Sequence, residues 1–210
     1  MESSIDQYAA EQLTATRRTV SSLIALIPII AAILLAISVS LLAGRYPAFF
    51  ARLQNDSAGN HAIPQIGAVP PTFALQSTTQ RWTALSDIPR PTLLVFYLGS
   101  TCPHCVHEFQ ILTDHAADLA AHHITVVGIS ADPPMESLFF AVRSKLNTMV
   151  LLTDPEHAVA TRYGLFRPSD TIPLHATMLI DAHNRIVWSD VGQMPLMSYS
   201  PLQAAIVKLN

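Results

Sequence analysis

Six consecutive residues, Thr92-Leu93-Leu94-Val95-Phe96-Tyr97, limit what this chain can fold into more than any other stretch. A short apolar run without alternation predicts a central strand buried on both faces. Cys102-Pro103-His104-Cys105 follows shortly after it. Val106, Phe109, Leu112, Ala116 and Leu119 then recur at helical spacing, which predicts a helix over 106–119 with one apolar stripe.

The alternation of strand and helix continues along the chain. Phe73-Ala74-Leu75 and Arg81-Trp82-Thr83 predict a small hairpin. Strands are predicted over 124–129 and 149–152, and helices over 135–146, 155–163 and 201–209. Gly164 stops the second of these helices. A terminal hairpin joins 176–180 to 185–188 through Asp181-Ala182-His183-Asn184. The implied class is α/β, a mixed sheet flanked by helices, with the closing hairpin antiparallel.

Composition adds one further segment. The chain of 210 residues is 50 % hydrophobic, and most of the excess lies in 19–44, a run without charge between Arg18 and Arg45. About 20 apolar residues suffice to cross a bilayer. Pro28 is tolerated better in a spanning helix than in a soluble one. A cleaved signal would have an apolar region of only ~7–15 residues, and Ser38-Val39-Ser40 with Ala43 makes a poor exit site. The organisation expected is therefore a cytoplasmic tail (1–18), a transmembrane anchor (19–44), a polar linker rich in Ala, Gly, Asn and Pro (45–71) and one folded domain (72–210). Arg17 and Arg18 abut the start of the span, and the bulk of the chain follows it. Both features fit a single pass through the inner, cytoplasmic membrane with the domain on the extracytoplasmic, periplasmic side. A net charge of −3 without clustered Lys or Arg excludes a nucleic-acid footprint.

The chemistry sits on the only two cysteines, Cys102 and Cys105. Two thiols at this spacing on a first helical turn can close a small disulfide ring. The unpaired N–H groups and positive dipole end of a helix favour the nucleophilic thiolate of the first cysteine. Pro103 fits the first helical position, where its missing N–H costs nothing. His104, when protonated, adds positive charge beside the sulfurs. A purely structural bridge would gain little from so small a loop, and a tetrahedral zinc site would want more cysteines. The expected catalytic pair is thus Cys102 and Cys105, supported by Pro103 and His104, with a redox-active disulfide and no separate cofactor. His107, His115, His122 and His123 read as surface residues, and Trp82 and Trp188 as packing. Glu108 reads as an exposed helix carboxylate and Asp132 as the N-cap of the next helix, with proton transfer near the site as the alternative for both. No phosphate loop, Ser-His-Asp set or paired carboxylate is present.

Five pieces occur in a telling order: IGAVPPTFAL, LSDIPRPTLLVFYLGSTCPHC, VVGISADPP, LLTDPEHAVATRYGL and ATMLIDAHNRIV. Through them the chain resembles the AhpC/TSA (redoxin) family of the thioredoxin-like superfamily, which includes peroxiredoxins and membrane-tethered TlpA/ResA-type thiol oxidoreductases. The Pro-His pair is similar to that of DsbA-type oxidants. The resemblance implies a thioredoxin-like fold, with Cys102 as the attacking cysteine and Cys105 as the resolving one. It implies protein thiols and disulfides as substrates and a membrane or extracytoplasmic redox partner. In the peroxiredoxin pattern P-x-x-x-T-x-x-C, Cys105 takes the peroxidatic place, while Leu98 replaces the proline, Cys102 the threonine and His175 the peroxide-binding arginine. His175 also falls where the oxidoreductases carry a cis-proline facing the disulfide, with Pro173 two residues away. It is either a solvent-facing loop residue or an imidazole beside the sulfurs. In the second case Cys102, Cys105 and His175 could hold Cu(I) or zinc, a plan that partly resembles the Sco copper-delivery proteins. The main expectation is a tethered thiol–disulfide oxidoreductase. The alternatives are a peroxiredoxin-like antioxidant hydroperoxide reductase and a Sco-like copper-binding assembly chaperone.

Overall fold

The computed structural model describes residues 62–167 and 169–209. They form one seven-stranded mixed sheet in the order β2-β1-β5-β4-β3-β6-β7. β1 (Ala74–Ser77) pairs antiparallel with β2 (Trp82–Ala84) and with β5 (Val150–Thr153). β3 (Thr92–Phe96) is the central strand expected from its sequence, and every one of its residues is buried. It runs parallel to β4 (Thr125–Ser130) and antiparallel to β6 (His175–Ile180), while β4 runs parallel to β5. β7 (Ile186–Gly192) closes the sheet antiparallel to β6 and extends four residues beyond the predicted 188.

The pleat of β3 divides the core in two, because successive side chains point to opposite faces. Leu94 and Phe96 belong to a cluster with Val159, Ala160 and Tyr163. Leu93, Val95 and Tyr97 belong to another, with Cys105, Phe109, Leu112, Phe140, Leu202 and Ile206. The second cluster gathers α1 (Pro103–Asp114), α2 (Ala116–Ala121), α3 (Pro134–Arg143) and α5 (Ser200–Ile206); the first contains α4 (Ala158–Arg162).

Three predicted helices need correction. The single helix over 106–119 begins at Pro103 and breaks at His115, whose backbone N–H and ring Nδ1 both turn to the Ile111 carbonyl while the ring stacks on Tyr199, centroids 3.9 Å apart. α3 stops before 146 because Lys145 adopts φ 56° and Leu146 N–H bonds back to the Ala141 carbonyl at 2.9 Å, a Schellman closure. α4 starts later than 155, because the Asp154 carboxylate accepts from Val159 N–H and Ala160 N–H and so fixes the first turn beyond itself. Gly164 closes α4 as expected, at φ 68°. The last predicted helix ends as a 3-10 turn, Val207–Leu209. Among the described residues no helix is long and apolar enough to cross a membrane. The tail, the anchor over 19–44 and most of the linker lie outside the described residues.

Candidate active site

The dithiol stands where β3 hands over to α1. Gly99, at φ 122°, turns the chain, and a Cβ there would meet Asp132 Oδ1 at 2.6 Å. Asp132 is the reason for that closeness: its carboxylate accepts Ser100 N–H at 2.6 Å. Arg143 donates to the Ser100 carbonyl from the end of α3. Asp132 therefore braces the loop leading into the cysteines. It is not the N-cap of α3, since that place is taken by Pro133.

Cys102 is the N-cap of α1, extended at φ −81° and ψ 112°, and its Sγ accepts Cys105 N–H at 3.2 Å. Pro103 occupies the start of the helix as expected. Cys102 is half-buried, Cys105 fully buried, and Pro103 and His104 exposed. Both cysteines are free thiols. Burial pushes the Cys105 thiol well above its usual range, and contact with Cys102 and the charge of Glu108 push it further, against a backbone hydrogen bond from Leu98.

His175 is the first residue of β6, paired with Gly192 of β7 and only 4 % exposed. The solvent-facing reading is thus overturned. The β3–β6 register sets Phe96 opposite Ala176 and brings the imidazole over the start of α1. Its Nε2 lies 3.4 Å from Cys105 Sγ and 4.0 Å from Cys102 Sγ. Burial lowers its pKa. The Gln193 backbone pulls the other way without reaching hydrogen-bond geometry, so Nδ1 stays buried and unpaired, and the charge of His104 lowers the pKa further. A mainly neutral imidazole thus faces the two sulfurs. Pro173, half-buried, does not substitute for it: the ring nitrogen at the thiols belongs to His175.

Glu108 is the residue that the sequence pattern misplaced. It is 0 % exposed, not a surface carboxylate. Thr177 Oγ1–H donates to its Oε1 at 2.6 Å. Oε2 is buried without a hydrogen-bond partner. Burial raises its pKa to about 7, outweighing Thr177 and Leu196, with Asp190 adding to the rise. The signal was present: Cys105, Glu108, Phe109 and Leu112 occupy i, i+3, i+4 and i+7, one face of a helix. Anchoring the stripe on Val106 hid it. His107 and His123 are exposed, and His115 and His122 are half-buried with their rings bonded to backbone carbonyls. None of these four joins the site. Trp188 packs against the helical side of the core.

Residues 66–189 match the AhpC/TSA family. The chain belongs to that family. Among relatives of this AhpC/TSA protein, the putative peroxiredoxin Bcp of Haemophilus influenzae is 31 % identical over 102 residues, covering 48 % of this chain and 65 % of the relative. Peroxiredoxin Bcp of Escherichia coli is 31 % identical over 101 residues, covering 48 % and 64 %. The matched stretch thus spans just under two thirds of these relatives. The crystal structure of peroxidoxin BcpB from Mycobacterium tuberculosis superposes with a TM-score of 0.63 at 23 % identity, covering 70 % of this chain and 99 % of that one. That likeness gives the thioredoxin-like fold, a mixed α/β sheet with flanking helices. By its family the chain is a redoxin, and it is similar to proteins named as peroxiredoxins.

Proposed function

We propose that this AhpC/TSA protein is a thiol–disulfide oxidoreductase that acts on protein substrates through a reversible Cys102–Cys105 disulfide. One observation carries the reading: Cys102 is the sulfur within reach of a partner, and it caps the helix with Cys105 N–H directed at it. The Cys102 thiolate attacks one sulfur of a substrate disulfide, and the other leaves as a thiolate. Cys105 then loses its proton and attacks Cys102 Sγ. The substrate departs as a dithiol, and Cys102–Cys105 remains as the disulfide. Burial opposes deprotonation of Cys105, so a nearby acceptor helps. Glu108, one helical turn on and titrating at about 7, suits that role. An external thiol partner re-reduces the disulfide and resets the cycle; the same steps in reverse oxidise a substrate, and an external disulfide partner then restores Cys102–Cys105. In this reading residues 19–44 anchor the domain on the extracytoplasmic side of the cytoplasmic membrane, near a membrane redox partner.

A second reading is supported by the peroxiredoxin names of the relatives and by the position of Cys105 in the peroxidatic pattern. There the Cys105 thiolate attacks the O–O bond and becomes a sulfenic acid, and an alcohol or water leaves. Cys102 then condenses with it to the same disulfide, releasing water. Against it stand the full burial of Cys105 and the replacement of the proline, threonine and arginine of the pattern by Leu98, Cys102 and His175.

The two readings part in one experiment on the reduced full-length chain in mild detergent. Cys105→Ser should trap mixed disulfides with protein substrates, Cys102→Ser should not, and added hydroperoxide should be consumed no faster than by a free thiol. Trapping by Cys102→Ser alone, together with rapid hydroperoxide turnover, would reverse the assignment in favour of the peroxidase.

A further inference from the structure

We propose that Cys102 Sγ, Cys105 Sγ and His175 Nε2 form a three-coordinate site for Cu(I), which the reduced dithiol holds and the disulfide excludes. The site uses the same sulfurs as the exchange reaction but does not depend on exchange occurring.

The argument begins with distance. The three donor atoms lie within 4.8 Å of one another, and the two sulfur–nitrogen separations are 3.4 and 4.0 Å. Metal–sulfur bonds of about 2.3 Å and metal–nitrogen bonds of about 2.0 Å in a trigonal plane place sulfur and nitrogen roughly 3.7 Å apart, and the two sulfurs roughly 4.0 Å apart. The observed separations bracket the first value. A cation bonded to the imidazole and either sulfur therefore needs the sulfur–nitrogen separations to change by only about 0.3 Å, and the two sulfurs already lie within 4.8 Å of each other.

The donors are also fixed before any ion arrives. Cys102 is held as the cap of α1, Cys105 by the first turn of that helix, and His175 by pairing with Gly192 in the sheet. Independent elements thus converge on one point, which lowers the ordering cost of binding. The Nε2 lone pair is available to a metal when the ring carries its proton on Nδ1, the nitrogen not aimed at the sulfurs.

The donor set selects the ion. Two thiolates and one imidazole are soft ligands suited to Cu(I). Zinc adds a fourth ligand in both its structural and its catalytic sites. Among the described residues no fourth His, Cys, Asp or Glu joins this group. Two thiolates around Cu(I) leave one net negative charge, at the helix start where backbone N–H groups and the dipole favour an anion. Binding displaces the thiol protons, while formation of the Cys102–Cys105 bond removes both thiolate donors. Copper and disulfide are therefore mutually exclusive states of one site.

The test titrates the reduced, anaerobic full-length chain in mild detergent with Cu(I) against a colorimetric Cu(I) chelator, together with X-ray absorption. The expected result is one Cu(I) per chain with two Cu–S and one Cu–N contacts, and no binding to the disulfide form. His175→Ala should lose the Cu–N contact and at least about 10–100-fold in affinity. Cys102→Ser, at a half-exposed position, should lose binding too, and circular dichroism of both variants checks that they fold. Unchanged affinity and absorption in a folded His175→Ala variant would overturn the site as a three-ligand one. So would several Cu(I) ions per chain, binding by the disulfide form, or displacement of Cu(I) by equimolar Zn(II). Disulfide exchange assayed on chelator-treated protein separates the two proposals: intact exchange with failed copper binding sinks only this one, and the converse sinks only the exchange reading.

Discussion

Replacing Glu108 with Gln isolates the buried carboxyl beneath the dithiol. Thr177 can donate to the Gln Oε1 as it does to Glu108 Oε1, so shape and one hydrogen bond are kept. What changes is the titration. In the folded chain the Glu108 carboxyl keeps its proton to about 7, against an ordinary value of 4.5. The unfolded chain releases that proton earlier, so within this window the folded state binds more protons and stability falls as pH rises. Below the window both states are protonated, and above it both are charged. The gap corresponds to about 3 kcal/mol, lost by the parent between roughly pH 4.5 and 7 and not by the variant. The new amide NH2 takes the buried, unpartnered place of Oε2, a cost that does not depend on pH and shifts the comparison by a constant. Titrations of other groups cancel between the two proteins. Urea unfolding of parent and variant at pH 5, 6, 7 and 8 measures the difference directly. The variant should gain on the parent by about 2.5 kcal/mol from pH 5 to pH 8. A difference that stays flat with pH would refute the buried, proton-holding Glu108 and remove the acceptor from the resolving step.

Gly128→Ala should destabilise the fold by about 1–3 kcal/mol through overpacking. Its new Cβ would meet Leu151 Cδ2 at 2.7 Å and Phe109 Cζ at 2.9 Å, where α1 presses on the sheet. Denaturant unfolding measures the loss, and an unchanged midpoint would show that α1 can move away freely. For topology, a membrane-impermeant thiol reagent should label Cys102 in intact, pre-reduced cells, and recovery of the full chain in the soluble fraction would contradict the anchor.

The sequence determined by itself those features that depend on local chemistry. Thr92–Phe96 is apolar at every position but Thr92, and a strand of that composition has to be buried on both faces. Cys102-Pro103-His104-Cys105 follows it with a proline suited to a helix start, so the dithiol and its N-cap geometry were legible from spacing alone. Gly164 marked the end of α4 for the same kind of reason. Tertiary structure decided whatever depends on two distant segments meeting. His115 breaks a helix that periodicity would continue, because its ring finds Tyr199 far along the chain. Asp132 leaves the helix that it could have capped, because Ser100 N–H lies within reach. Glu108 holds its proton because the folded packing buries its carboxyl, which outweighs the opposing hydrogen bond from Thr177 of β6. His175 stands seventy residues from Cys105, and only the β3–β6 register brings its Nε2 within 3.4 Å of the sulfur. A sequence states what each residue can donate, accept or exclude from water; which partner it meets is set by the packing of the whole sheet.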